Sequence, residues 1–260
     1  MDCYIIKCLI WPHFQKTMKE ITLTLPSELW VIVFTFLSFK DLCSVILVCQ
    51  LWKSLGENPS LWKMFTFCIK REHVRRMEEV FSIPRFQHIR RVQRTKISIN
   101  DAMDNATVFK AISRKDSIKE LIIHGSNLAN VSPEIISLCV NKLQRFDFVP
   151  HIWGTGLSRC QVSSLFDKMK SETCLRVLNL RSNDLSAIPA TVLGECMNKL
   201  VEADLWNTSL SCKQVEEILI NCKKKTCLKK LNISGNYFGM LDVPVGLIRD
   251  VQVILKVFQY

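Results

Sequence analysis

The feature that most constrains this chain is a short frame, apolar-x-x-apolar-x-apolar, that keeps returning. It reads Ile118-Leu121-Ile123, Leu143-Phe146-Phe148, Leu175-Leu178-Leu180, Leu200-Ala203-Leu205 and Leu228-Leu231-Ile233. A weaker copy sets Ile97 and Ile99 in the second and third slots. Alternation over so few residues suits one short strand whose alternate side chains enter a shared core. The stretches between are helical in character, as at 189–200 and 212–222. A single strand-plus-helix unit cannot bury its apolar side, so neighbouring units must stack. An ordinary α/β domain with parallel strands would also alternate strand and helix. Unit length favours stacking, as does a polar residue three places after the last apolar slot: Ser126, His151, Asn183, Thr208 and Asn236. Six strands spaced at about 4.8 Å span roughly 25–30 Å, which makes an open arc. After Phe238 the frame fails, leaving 239–260 as either an atypical cap or the remnant of a truncated array.

Ahead of the repeats, 25–65 predicts three short amphipathic helices. In the first, Leu29, Ile32, Val33, Phe36 and Leu37 share one face, and Pro26 suits the opening turn. Trp30 and Phe34 exceed what that stripe needs, and surplus apolar surface on a small unit points to a protein interface. Ser38 with Asp41 forms a capping-box pattern for a second helix carrying Leu42, Val45, Val48, Cys49 and Trp52. Gly56 is a natural stop, and Asn58-Pro59 opens a third helix with Leu61 and Trp62. Roughly 40 residues of this kind bury limited area and call for a partner.

These residues resemble an F-box in order and spacing. The pattern is carried by Leu25-Pro26, Glu28-Leu29, Leu37, Lys40-Asp41-Leu42, Val48-Cys49, Trp52 and Ser60-Leu61-Trp62. Ser38-Phe39 stands where the family often has Asp-Pro, which alters the turn. The repeats, over about 94–240, resemble leucine-rich repeats of the ribonuclease-inhibitor kind. The fold class implied is a small all-α F-box of three helices followed by an α/β leucine-rich repeat solenoid, an open arc. The domain reading is a tail over 1–20, F-box over 21–66, basic helical linker over 67–93, and repeats with a C-terminal cap over 94–260.

What the resemblance implies is the substrate receptor of a Skp–cullin–F-box ubiquitin ligase. Leu25, Pro26, Leu29, Leu37, Leu42, Val48, Cys49 and Trp52 would dock on the Skp adaptor, and through it on a cullin. The x positions of each strand would face a target protein across the concave side. They include Arg145, Arg176, Asn179, Arg181, Glu202, Asp204, Trp206 and Lys229. Trp206 with Arg181 is the expected hot spot, because Trp and Arg dominate interface energetics. The alternative is that Trp206 packs on its own arc. The rival function is a leucine-rich repeat scaffold or inhibitor that works without ubiquitin.

Composition narrows the remaining classes. The 12 cysteines hold no C-x-x-C pair and are mostly embedded among Leu, Ile and Val. That predicts reduced core thiols in the cytoplasm or nucleus, with no metal or cofactor. The run from Tyr4 to Trp11 lacks a basic leader and a cleavage site, and no apolar stretch reaches a membrane-spanning length. Of the +11 net charge, a basic excess concentrates between Lys70 and Lys96. Its readings are a solvated connector, an acidic partner, nuclear import or weak nucleic-acid contact. Gly154-Thr155-Gly156 is a lone fragment of a phosphate loop, and the five His are isolated, so no catalytic activity is expected.

Overall fold

A computed structural model describes residues 25–74, 76–94, 102–125, 128, 130–150, 156–171, 173–223, 227–236 and 256–257. The chain divides between Phe65 and Thr66 into two compact units.

Among its described residues the first unit has four helices where the sequence predicts three: α1 Ser27–Phe34, α2 Phe39–Val45, α3 Gln50–Gly56 and α4 Pro59–Met64. The expected second helix is broken at Cys49, whose extended backbone starts a new one and whose Sγ accepts from Trp52 N–H at 3.4 Å. Ser38 caps α2 by accepting from Asp41 N–H at 3.2 Å. Asn58 caps α4 through Ser60 N–H at 3.0 Å, with Pro59 in the first turn. Each cap satisfies an amide that the helix itself leaves orphaned.

The core of this unit is aromatic. Trp52 meets Trp30 at 5.3 Å and Phe34 at 5.6 Å between ring centroids. Trp62 donates its indole N–H to the carbonyl of Gly56 at 2.7 Å. Gly56 is buried, and a Cβ there would collide with Cγ2 of Ile46. Gly56→Val should therefore destabilise the chain by about 1–3 kcal/mol through overpacking. A urea midpoint unchanged from the parent would show that the α2–α3 contact yields without cost.

The second unit is an eight-stranded parallel sheet in sequential order. Its strands are β1 Thr66–Cys68, β2 Arg91–Arg94, β3 Glu120–His124, β4 Arg145–Val149, β5 Val177–Asn179, β6 Glu202–Asp204, β7 Lys230–Asn232 and β8 Lys256–Val257. Between them run α5 Arg71–Val74, α6 Met77–Ser82, a 3-10 turn at Pro84–His88, α7 Ala102–Ser113, α8 Pro133–Lys142, α9 Arg159–Ser171, α10 Ala190–Met197 and α11 Cys212–Lys223. The register aligns Phe67, Val92, Leu121, Phe146, Leu178, Ala203 and Leu231 in one column. All seven are buried, so this slot of strands β1 to β7 feeds one continuous core.

One expectation is corrected here. Residues 67–93 are not a linker: they contain most of β1 and of β2, which pair in register from Thr66↔Arg91 onward. The strand that pairs with β3 is Arg91–Arg94, and the weaker repeat expected at Ile97 and Ile99 lies outside the described residues. Val92 fills the buried slot there, while Arg94, opposite Ile123 and also buried, breaks the apolar pattern that would have revealed the strand. The predicted polar positions Ser126 and His151, and the tail 239–255, also lie outside the described residues.

The turns after the strands repeat one construction. Gly125, Ser182, Asn207 and Gly235 each sit two residues past the last buried strand position, and all have positive φ, between 54° and 71°. Gly and Asn enter that left-handed region at low cost. The following polar residue closes the turn. Asn183 is fully buried, accepts from Leu157 N–H at 2.8 Å, and donates to the carbonyls of Leu180 (2.9 Å) and Phe148 (3.3 Å). Asn236 repeats this, accepting from Leu210 N–H and donating to Leu205 O, both at 2.9 Å. Thr208 occupies the same place and donates to Leu205 O at 2.7 Å.

Cys139, Cys196 and Cys222 are buried, as the sequence predicts, but Cys49, Cys68, Cys160, Cys174 and Cys227 are exposed. A local apolar neighbourhood in sequence does not select the face on which a thiol lies. Burial pushes the Cys139 and Cys222 thiols up to about 12 and Cys196 up to about 11, from 9.0. The unfolded chain therefore ionises these thiols first. Their contribution to stability is full below pH 9.0 and is lost as pH rises toward 11–12. At neutral pH, alkylation should label the five exposed cysteines and spare these three until denaturant is added. Equal labelling of Cys139 in the native chain would contradict its burial.

Candidate interaction surfaces

The first unit carries an apolar surface. On α1 the large residues Trp30 and Phe34, four apart, turn inward and are 8% and 1% exposed. Leu29, Ile32, Val33 and Phe36 face solvent, with Phe36 85% exposed. The sequence reading took Trp30 and Phe34 as surplus to the stripe of Ile32, Val33 and Phe36, and the structure reverses those roles; Leu29, expected to dock, is exposed. Volume decides instead: the two largest rings fill the space beside Trp52, and the smaller residues are left outside.

Of the residues expected to dock, Leu25, Pro26, Leu29 and Cys49 are exposed, and Leu37 and Val48 are half-buried. Leu42 has no exposed surface and Trp52 has 8%, so both hold the fold and neither offers contact area. Sequence reasoning missed Leu47, 80% exposed in the turn after α2, and Leu51 on α3. Recognising Trp30 and Phe34 as the inward pair would have revealed the rest of this face.

The second unit exposes an outward sheet face of ordered charge. Arg91 pairs with Glu120 at 2.7 Å, Arg145 with Asp147 at 3.1 Å, and Lys230 with Glu202 at 2.6 Å. The next column carries Asp147, Asn179, Asp204 and Asn232 in register. Asp147 is buried under its partners, taking His124 Nε2 at 2.8 Å as well as Arg145. Asp204 accepts from Asn232 Nδ2 at 3.0 Å and Trp206 N–H at 3.2 Å. Burial holds its carboxyl above the ordinary range, with Asp147 adding to this against the opposing pull of Trp206 N–H, Arg181 and Asn232.

Arg181 and Trp206 come together, with the guanidinium carbon 4.9 Å from the ring centroid. Trp206 is half-buried and also lies against Gly235, so it packs on its own unit while keeping part of its ring accessible. Arg145, Asn179, Glu202 and Asp204 line a pit of about 190 Å³ with Val177, Lys230 and Asn232. Arg176 and Lys229 are exposed but lie at the strand starts, outside this pit. Among the described residues no three His, Cys, Asp or Glu side chains converge as a metal site. No helix there is long and apolar enough to cross a membrane.

Residues 22–68 match the F-box-like family model. This segment is an F-box-like domain. Domains of this family generally bind Skp-type adaptors, which points to a role in protein–protein interaction. No curated protein sequence matches the chain. A Bacteroides fragilis protein of known crystal structure is similar over 73% of this chain, at 14% identity and a TM-score of 0.47. The match spans 60% of that protein's length, and a likeness at this level carries no argument about function.

Proposed function

We propose that the chain is a two-part adaptor in which the F-box-like domain docks on the Skp adaptor of a Skp–cullin–F-box ubiquitin ligase. The second unit, a leucine-rich repeat arc, then holds a target protein. The observation that carries this reading is the exposed apolar set Leu29, Ile32, Val33, Phe36, Leu47 and Leu51 on the short helices described in the first unit. Such a surface on so small a unit is stabilised by a partner. Support for the repeat reading comes from the sequential parallel sheet and from Asn183, Thr208 and Asn236 at one turn position.

An adaptor of this kind needs no catalytic group. Holding target lysines near a charged thioester raises their effective concentration, and the ligase partners supply the chemistry. Arg181, Trp206 and the adjoining pit are the proposed target contact, with Arg145, Asn179, Glu202 and Asp204 setting its polarity. Such a complex would work in the cytoplasm or nucleus. The test is co-purification of the full chain with a Skp-type adaptor. Stoichiometric capture supports the ligase reading; a folded chain that captures none sinks it and leaves a scaffold or inhibitor that works without ubiquitin.

A further inference from the structure

The outward charges within the strands largely neutralise one another, but the residues just before the strands do not. Arg90, Lys119, Gln144, Arg176, Val201 and Lys229 form one continuous backbone row. In it each amide from Lys119 onward donates to the carbonyl of the preceding member, at 2.7–2.8 Å. Four of the six are Lys or Arg and none is acidic. Arg90, Arg176 and Lys229 are exposed, and Lys119 is half-exposed.

The helix C-termini lie along the same edge and add further lysines. Lys115 donates to Phe81 O at 3.1 Å, Lys142 to Ser113 O, and Lys199 to Met169 O at 2.9 Å and Lys170 O at 2.7 Å. Each caps the preceding helix, where a cation also opposes the macrodipole. The carboxylates near this edge are matched: Asp116 by Lys142, Glu195 by Lys170 and Glu78 by Arg114. Asp116 also lies close enough to Lys119 to feel its charge. Helix capping accounts for the lysines behind, and Arg176 also donates to Lys199 O at 3.1 Å; Arg90, Lys119 and Lys229 add positive charge beyond these contacts.

We propose that this edge, the row from Arg90 to Lys229, is a track that binds an extended acidic polypeptide segment. Six strands at about 4.8 Å spacing give a row of roughly 24 Å, the length of about seven extended residues. A single-stranded nucleic acid would call for aromatic platforms on which bases stack. Neither the row nor the capping lysines include an aromatic residue, so charge complementarity with carboxylates is the better fit. This surface is separate from the pit beside Trp206 and stands whether or not the ligase reading holds.

The experiment is fluorescence anisotropy of the full chain with a labelled deca-glutamate peptide at about 50 mM and 300 mM salt. The parent should bind at low salt and weaken at high salt. Arg90→Gln/Lys119→Gln/Lys229→Gln should bind at least about tenfold more weakly, with its circular dichroism unchanged. Should that variant misfold, Arg90→Glu/Lys229→Glu, at two exposed positions, is read in its place. Lys213→Gln, an exposed lysine in the first turn of α11 and so at the end of that helix away from the row, should bind as the parent does. No binding by the parent at low salt, or equal binding by the row variants, overturns the proposal. Tighter binding of an oligouridylate of equal length also overturns it, because the partner would then be a nucleic acid.

Discussion

Replacing Asn183 with Ala should lower the stability of the second unit by about 3–5 kcal/mol, among the largest single-site effects in the chain. The side chain is fully buried and its amide is used on both sides. Its oxygen takes Leu157 N–H, and its nitrogen serves Leu180 O, Arg181 O and Phe148 O. Alanine removes the side-chain partner of Leu157 N–H and Phe148 O, while Leu180 O keeps the backbone N–H of residue 183 at 3.1 Å; each orphaned backbone group costs about 1–3 kcal/mol. Asn183→Asp keeps the acceptor but turns a buried carboxylate oxygen onto the carbonyls of Leu180 and Phe148, so at neutral pH it should cost at least as much as alanine. Asn236→Ala should cost less, because Asn236 is half-buried and water can replace it. Urea unfolding monitored by circular dichroism measures all three. A loss under about 1 kcal/mol for Asn183→Ala would mean the turn is held by other contacts.

The second large effect is on docking. Leu29→Asp/Phe36→Asp should reduce capture by a Skp-type adaptor at least a hundredfold, equivalent to about 3 kcal/mol. Both side chains face solvent, so the melting temperature of the free chain should stay within a degree or two of the parent. Leu42→Ala is the contrasting control. It opens a cavity in a fully buried position and should cost about 2–5 kcal/mol of stability. Capture retained by the double variant would remove α1 from the docking face. Capture lost only in Leu42→Ala would reduce the apolar surface to a bystander.

The comparison of Leu42 with Leu29 shows where sequence reasoning reached its limit. Both belong to the apolar pattern that identifies the segment, and periodicity alone gives them equal standing. Which of two apolar stripes on a short helix turns inward depends on the volumes it meets, here the ring of Trp52. The same limit applies at Arg94. A buried arginine in an apolar slot conceals a strand that backbone pairing with β3 makes plain. The Ser-x-x-Gln pairs were legible in principle. Gln161 and Gln214 each accept from the Ser N–H three residues before and donate to two carbonyls of the preceding segment.

Local chemistry was enough to set out much of this protein in advance. The caps at Ser38 and Asn58, the buried slots from Leu121 to Leu231 and the polar turn positions at Asn183 and Asn236 depend on neighbours a few residues away. Spacing along the chain records such relations directly. Tertiary structure alone decided three other matters: which face of α1 is free, that β1 and β2 belong to the sheet, and that four basic residues preceding four of six neighbouring strands line up along one edge. Each depends on groups brought together from distant positions, and packing volume and strand register are properties of that assembly.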